Sequence, residues 1–529
     1  MSARYDAVVV GGGHNGLAAG ALLARAGRRV LVCEAREAPG GMAATEEIAR
    51  GVRAPVCAHL VHALDAGVAA ELGLSGHGLA YAAVDAGTLA VAPGGRRMRL
   101  AADPAVAAGE LARTSPRDAR RWQAFHSLLS RLAPALRPIL ESEPPRLMHT
   151  GWAEKLALLR LGLGVRRLGR ADMREFLRIV GMPVADLLDD TFEDDLLKGA
   201  LALDATLGAN LAPRSPGTVF LLLSRWAGEA GGVRGALGVP RGGAGALGAA
   251  LAAALKAAGG ELRLNAPVAQ VRVRQGRAQG VILAGGEEIG AGAVLAGVDP
   301  KRLFGTLVGP DHLDTGFLRR IRGLRTNGMA AKVNLVLDGL PDGLATPGTP
   351  ARLVVAPSWR AVEQAFDEAK YGAAPAHPVL EATVPTLVDA TLAPAGTHVV
   401  SVLAQYAPHR LAGEGWAARR EPFADTVVAA LDAAVPGLAA RVTARQVLTP
   451  ADIEARFGAT GGHWHHHDLA LDTAYLLRPI PGWARYRTPV DGLYLAGAGA
   501  HPGGGLTSLP GRNAARAVLA DWRRGALPR

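Results

Sequence analysis

Short apolar runs alternate along this chain with helix-length segments whose small apolar residues recur every three or four positions. That alternation predicts an α/β fold. The first run, residues 5–10 (Tyr-Asp-Ala-Val-Val-Val), suits one buried strand and stops at three glycines. Leu17, Gly20, Leu23 and Ala24 follow at helical spacing, Gly27 ends the helix, and residues 29–33 form a second apolar run with Glu34 at its tip.

The middle of the chain changes character. Residues 103–225 read as helices broken at Pro116, Pro134, Pro138, Pro144 and Pro183, with a clear amphipathic stripe over 118–136 and another over 186–203. Residues 240–299 return to α/β: a helix over 246–258, then strands over 261–264, 268–273, 277–283 and 287–295. Gly242, Gly243 and Gly245 precede that helix, yet no strand leads into them, so no second nucleotide domain is expected. Residues 300–450 offer strands at 332–337, 352–356, 379–384 and 398–405 and a helix over 422–435. Strands in succession suggest an antiparallel or mixed sheet. A last strand from Leu493 runs into glycines, and residues 512–522 close as a helix.

The two ends carry the chemistry. Gly11, Gly13 and Gly16 complete a G-x-G-x-x-G between strand and helix, with His14 and Asn15 inside it. Gly11 allows the tight turn, Gly13 the approach of a pyrophosphate, and Gly16 the packing of helix on strand. Unpaired N–H groups at the helix start favour an anion, and Glu34 can accept from a ribose hydroxyl pair. After the acid, Ala35, Arg36, Gly40, Gly41 and Met42 form a second glycine turn. At the far end, Gly497 and Gly499 lead through His501 and three glycines to Leu506, Thr507, Ser508 and Leu509. That second strand, loop and helix start could polarise a bound carbonyl.

These stretches resemble the phytoene desaturase-like flavoproteins related to amine oxidases. The carriers are Gly11-Gly12-Gly13-His14-Asn15-Gly16, the turn from Glu34 to Gly41, Arg478-Pro479, Tyr486-Arg487-Thr488-Pro489 and residues 492–505. The nearest branch is that of pyridine nucleotide-disulphide oxidoreductase domain-containing protein 2. The resemblance implies FAD and a Rossmann-type FAD-binding domain with an interleaved mixed-sheet substrate domain and a helical cap. It divides the chain into 1–95, 240–299 and 456–529 for FAD, 96–239 for the cap and 300–455 for the substrate sheet, with Val268 beside the adenine. It also implies hydride transfer from an allylic or α-amino carbon to the flavin. The substrate is then an apolar molecule such as an isoprenoid or polyene, handled by a desaturase, oxidase or isomerase. An amine oxidase and a flavin scaffold without turnover are the alternatives; Lys332 is the one lysine that suggests the former. With no second nucleotide domain, oxygen or a quinone is the expected electron acceptor.

Composition narrows the partners. Aromatic residues are only 5% of the chain, which disfavours an aromatic-walled amine site. Cys33 and Cys57 are the only cysteines and form no C-x-x-C, so a flavin–disulfide relay is excluded. The formal charge of +11 accompanies no nucleic-acid motif, and no nucleic-acid partner is expected. Residues 152–178 are apolar and basic together (Lys155, Arg160, Arg166, Arg167, Arg170), compatible with a solvated face or with peripheral contact to an anionic bilayer. The expected location is cytoplasmic, with or without membrane association, and self-association stays open. No run is long enough to span a bilayer.

Two histidine clusters remain. Residues 461–468 read Gly-Gly-His-Trp-His-His-His-Asp. With His501, His463 and His465 are catalytic candidates as a titratable wall near the flavin. A metal site using His465 and His467 on one strand face, or a solvent-facing loop, are the other readings; no metal is expected. His59 and His62 either face the flavin or end a turn.

Overall fold

The computed structural model describes residues 4–101, 103–146 and 151–527. Two seven-stranded sheets and a helical cap enclose one long cavity. In the first sheet the strands run in the order Glu261–Arg263, Val30–Cys33, Arg4–Val10, Glu288–Ala296, Arg277–Leu283 and Val268–Arg274. The first four are mutually parallel, and the last two are added by successive antiparallel pairings. Glu288–Ala296 has two partners on one edge: its first half pairs with Arg277–Leu283, its second half with Leu493–Leu495. The C-terminal strand thereby ends at Leu495 beside Ala296, whose other neighbour is Val10, and all these carboxyl ends face one crevice. That is where open α/β sheets bind ligands.

Helix packing here depends on small residues. His14–Arg25 lies on the sheet with Gly245–Ala257 and Leu509–Arg523 against it. A Cβ on Gly20 would come within 2.8 Å of Val32, and one on Gly248 within 2.6 Å of the Gly40 Cα. The glycines at 243 and 245 are therefore not a second nucleotide loop: they pack on Thr45, whose hydroxyl accepts from the Gly245 N–H at 2.9 Å.

The second sheet is mixed, in the order Val442–Leu448, Ala330–Leu337, His398–Gln405, Val379–Thr383, Arg352–Val355, Thr88–Val91 and Arg97–Leu100. Arg352–Val355 and Thr88–Val91 pair in parallel, and its other described pairs are antiparallel. One face is aliphatic and is covered by the helix Gly415–Ala434. The other carries a polar row, Asn334–Ser401–Thr383–Arg352–Thr88, and next to it Lys332, Leu403 and Glu381. Period-two alternation puts those polar side chains on one face; the cap helix Asp195–Thr206 covers its Arg352–Thr88 end, and the strand Val52–Pro55 covers its Asn334–Ser401 end.

Two expectations for helices need correction. The 186–203 segment is two helices, Val184–Thr191 and Asp195–Thr206, because the Asp118 carboxylate accepts from the Glu193 and Asp194 N–H groups between them. Asp194 then caps the second helix through the Leu196 and Leu197 amides. The 422–435 helix begins earlier, at Gly415, and carries Pro422 inside it.

Candidate active site

A cavity of about 710 Å³ runs from the glycine loop, between the two sheets, into the helical cap. Its nucleotide end is built by the first strand and helix. Gly11 adopts φ +98°, and a Cβ on Gly16 would lie 2.0 Å from the Gly11 carbonyl oxygen, so no other residue fits there. A Cβ on Gly13 would meet nothing within 4 Å; the space beside it belongs to the cavity. The helix has no side-chain cap, and its first intrahelical bond is Leu17 N–H to Gly13 O. The amides before it are left for a ligand.

Glu34 is buried where its carboxylate closes this loop. It accepts from the Gly12 N–H at 2.6 Å and the Arg36 N–H at 2.9 Å. The second glycine turn docks on the first, with Gly40 N–H donating to Gly12 O at 2.8 Å. Arg36 pairs with Glu46 and lies over the Phe457 ring.

Of the expected cofactor residues, Gly11, Gly13, His14, Asn15, Gly16, Glu34, Ala35, Arg36, Gly41 and Met42 line the cavity together with Leu506, Thr507 and Leu509. Gly40, Gly497, Gly499 and Ser508 stand behind that wall. Val268 is a correction. The Asn265 and Ala266 amides bind the Arg36 and Glu34 carbonyls, and Val268 then leaves with its strand, paired to Leu283 and off the cavity wall.

The C-terminal helix starts at the same place. Leu506 and Ser508 hold positive φ, which turns the chain sharply before Leu509. His14 Nε2, Asn15 Oδ1 and Ser508 Oγ are buried without hydrogen-bond partners. Buried polar atoms are seldom left so, and their grouping around two helix starts fits a polar cofactor that completes them. A dinucleotide would rest on the glycine loop and Glu34, with the 506–509 turn against its ring system.

The histidine segment is neither a strand nor solvent-facing. It is a turn with His466 at φ +65°, and His463, His466 and His467 are buried. Arg478 organises it from behind. Its fully buried guanidinium donates to the carbonyls of Ala498 (2.7 Å), Asp468 (2.9 Å) and His465 (2.6 Å). His463 is a correction as a catalytic residue: it is off the cavity wall, with Nε2 on Asp468 and Nδ1 accepting from the His465 N–H. His465 and His501 do line the cavity. Burial, with the Arg478 charge nearby, holds His465 well below the ordinary imidazole value and pushes His501 down to about 3. His501 Nε2 lies 2.8 Å from the Ile139 carbonyl. A carbonyl only accepts, so Nε2 carries the proton and Nδ1 keeps its lone pair.

A buried network that sequence reasoning missed occupies the opposite wall. His59 Nε2 meets Glu381 at 3.0 Å, and its Nδ1 is 3.0 Å from both Lys332 Nζ and Ser401 O. Arg352 binds Glu381 at 2.6 Å and also pairs with Asp204. Burial pushes Lys332 down to about 7 and Cys57 up to about 12. The alternation of Lys332 and Asn334 between apolar residues was the available signal; their partners lie far away in sequence.

These features define a two-domain flavoprotein with its nucleotide site at the sheet crevice. Residues 16–519 match the family of flavin containing amine oxidoreductases, and the chain belongs to that family. It is 36% identical to the rat pyridine nucleotide-disulfide oxidoreductase domain-containing protein 2, over 99% of this chain and 94% of that one. It is 25% identical to a lycopene-forming phytoene desaturase of a Paracoccus strain, over 98% of each chain. Among solved structures, putrescine oxidase bound to putrescine shares the fold, with a TM-score of 0.61 at 17% identity, covering 99% of this chain and all of that one. The cofactor is FAD and the chain is a flavoprotein oxidoreductase.

Proposed function

We propose that the chain oxidises, desaturates or isomerises a largely apolar molecule of isoprenoid or polyene type. One observation carries this reading: the cavity that starts at the flavin loops continues into the cap as a chamber with a largely apolar wall, which His501 also lines. Leu136, Ile139, Leu140, Phe176, Val180 and Phe220 wall it, and His501 is fastened to Ile139 itself. FAD, when bound, supplies the two-electron acceptor for a hydride leaving the substrate carbon. The residues of the chamber exclude water and orient the chain. His501 and His465 stay neutral near pH 7, which suits a wall facing a hydrocarbon better than a cationic acid.

The phytoene desaturase relative supports the apolar substrate, and the putrescine oxidase fold supports the amine alternative. The test is anaerobic: mix the yellow holoprotein with a linear polyene and, separately, with an alkyl amine, and follow flavin bleaching. Bleaching by the polyene alone supports the proposal, and bleaching by the amine alone overturns it. Reoxidation by air or by a soluble quinone then identifies the acceptor.

We also propose that the cap rests on an anionic bilayer. On the helices Trp152–Arg166 and Gly169–Ile179, Trp152 is 87%, Leu159 57% and Leu177 62% exposed, among basic side chains. Phe176, the neighbour of Leu177, lines the chamber, which supports delivery of substrate from lipid. Among the described residues no helix is long and apolar enough to cross a membrane.

A further inference from the structure

The chamber has a charged corner that a pure hydrocarbon would leave without a partner. Arg225, His62, Asp204 and Glu381 all face the cavity there, close to Phe220 and Leu221 on the helix that carries Arg225. The acids do not depend on Arg225. Arg352 holds both from behind, through Nε to Glu381 at 2.6 Å and Nη2 to Asp204, while His59 takes the other Glu381 oxygen. Among the described residues Arg225 uses one nitrogen, Nη2, which donates to Glu381 at 3.2 Å and lies 3.3 Å from Asp204. A guanidinium carries five N–H donors, so most of those of Arg225 are unspent on a wall that opens onto the chamber.

His62 supplies a second free donor. Its ring makes no hydrogen bond among the described residues although it lines the cavity, and burial beside Arg225 pushes it down to about 3. It is therefore neutral, with one N–H to give. The charge balance agrees. Two guanidinium and two carboxylate groups cancel, and Lys332, 3.0 Å from His59, adds a fifth charge that is positive when protonated. Other arginines that line the cavity are spent on acids: Arg137 lies between Glu141 and Glu229, and Arg36 and Arg456 both pair with Glu46.

We propose that Arg225 and His62 form a receptor for one oxyanion, so that the substrate is an apolar chain ending in a carboxylate. The proposal rests on the apolar-substrate reading and narrows it. The chain lies along Phe220, Phe176 and Val180, and the head accepts from the Arg225 guanidinium and the His62 N–H. An ammonium head would instead meet Arg225 and find both acids already engaged by Arg352.

The test uses FAD-loaded protein and three probes of equal chain length: dodecanoate, dodecanol and dodecylamine. Binding is read from the flavin difference spectrum. Dodecanoate should bind about tenfold or more tighter than dodecanol, the value of a charge-assisted hydrogen bond, and dodecylamine weakest. Arg225→Gln should remove that preference, weakening dodecanoate by about tenfold or more relative to dodecanol. Equal binding of dodecanoate and dodecanol overturns the oxyanion receptor while the apolar chamber stands. Tightest binding by dodecylamine overturns the receptor in favour of an amine site, and failure of all three to bind overturns both readings. The comparison within unmodified protein decides the matter even if the variant does not fold.

Discussion

A Cβ added to Gly511 would lie 2.0 Å from the carbonyl oxygen of Asn15. Two helix starts, one from each end of the chain, thus touch at the flavin site, and only a hydrogen atom fits between them. Gly511→Ala must push the C-terminal helix away from the glycine loop, at a cost of about 2 kcal/mol or more. The expected outcome is protein that retains most of its helix content but purifies pale, read as the ratio of flavin to protein absorbance. Full flavin occupancy in Gly511→Ala would contradict this contact.

Glu34 binds two amides of its own loop, Gly12 and Arg36, with its two carboxylate oxygens. In Glu34→Gln one of those amides faces an NH₂ group. A charge-assisted hydrogen bond contributes about 1.5–3 kcal/mol, so FAD affinity should fall roughly tenfold to a hundredfold. Titrating apoprotein with FAD by fluorescence quenching checks it. Unchanged affinity would mean that the loop holds its shape without the acid.

Acid should unfold the protein early. Burial holds His14, His59 and His466 at about 4 and His62 and His501 at about 3, against an ordinary value of 6.5. Each folded value is depressed, so between 6.5 and about 4 the unfolded chain binds protons that the native chain refuses. Stability therefore rises with pH through that window and is lost as pH falls through it. The urea midpoint should drop steeply between about pH 6.5 and about pH 5, with uptake of more than one proton on unfolding. A flat midpoint over that range would show that these rings are solvated.

For the membrane contact, Leu159→Glu with Leu163→Glu places two charges on the exposed face of one helix. Each leucine buried in lipid contributes about 1.5–3 kcal/mol. Co-sedimentation with phosphatidylglycerol vesicles should fall at least about tenfold, with flavin content unchanged. Equal sedimentation of the double variant would remove this surface from consideration.

The nucleotide half was legible in the sequence because its signals are local. A strand, Gly11, Gly13 and Gly16, a helix, a second strand and Glu34 lie within one βαβ unit, and each residue is fixed by backbone geometry near it. The same holds for the run from Leu493 to Leu509, whose glycines announce a close approach, though the positive φ of Leu506 and Ser508 is seen only in the structure. The segment 461–468 was not legible. His463 is spent on Asp468 and its turn hangs on Arg478, so whether a histidine there faces ligand, solvent or protein depends on a residue outside the segment. Lys332, His59, Glu381, Arg352, Asp204 and Arg225 come from both sheet and cap, from residue 59 to residue 381. Alternation along each strand says only that these polar groups share a face. That the face is roofed, at one end by a cap helix and at the other by the strand Val52–Pro55, and that its charges therefore need one another, was decided by tertiary packing, since the cost of burying a charge has no counterpart in an extended chain.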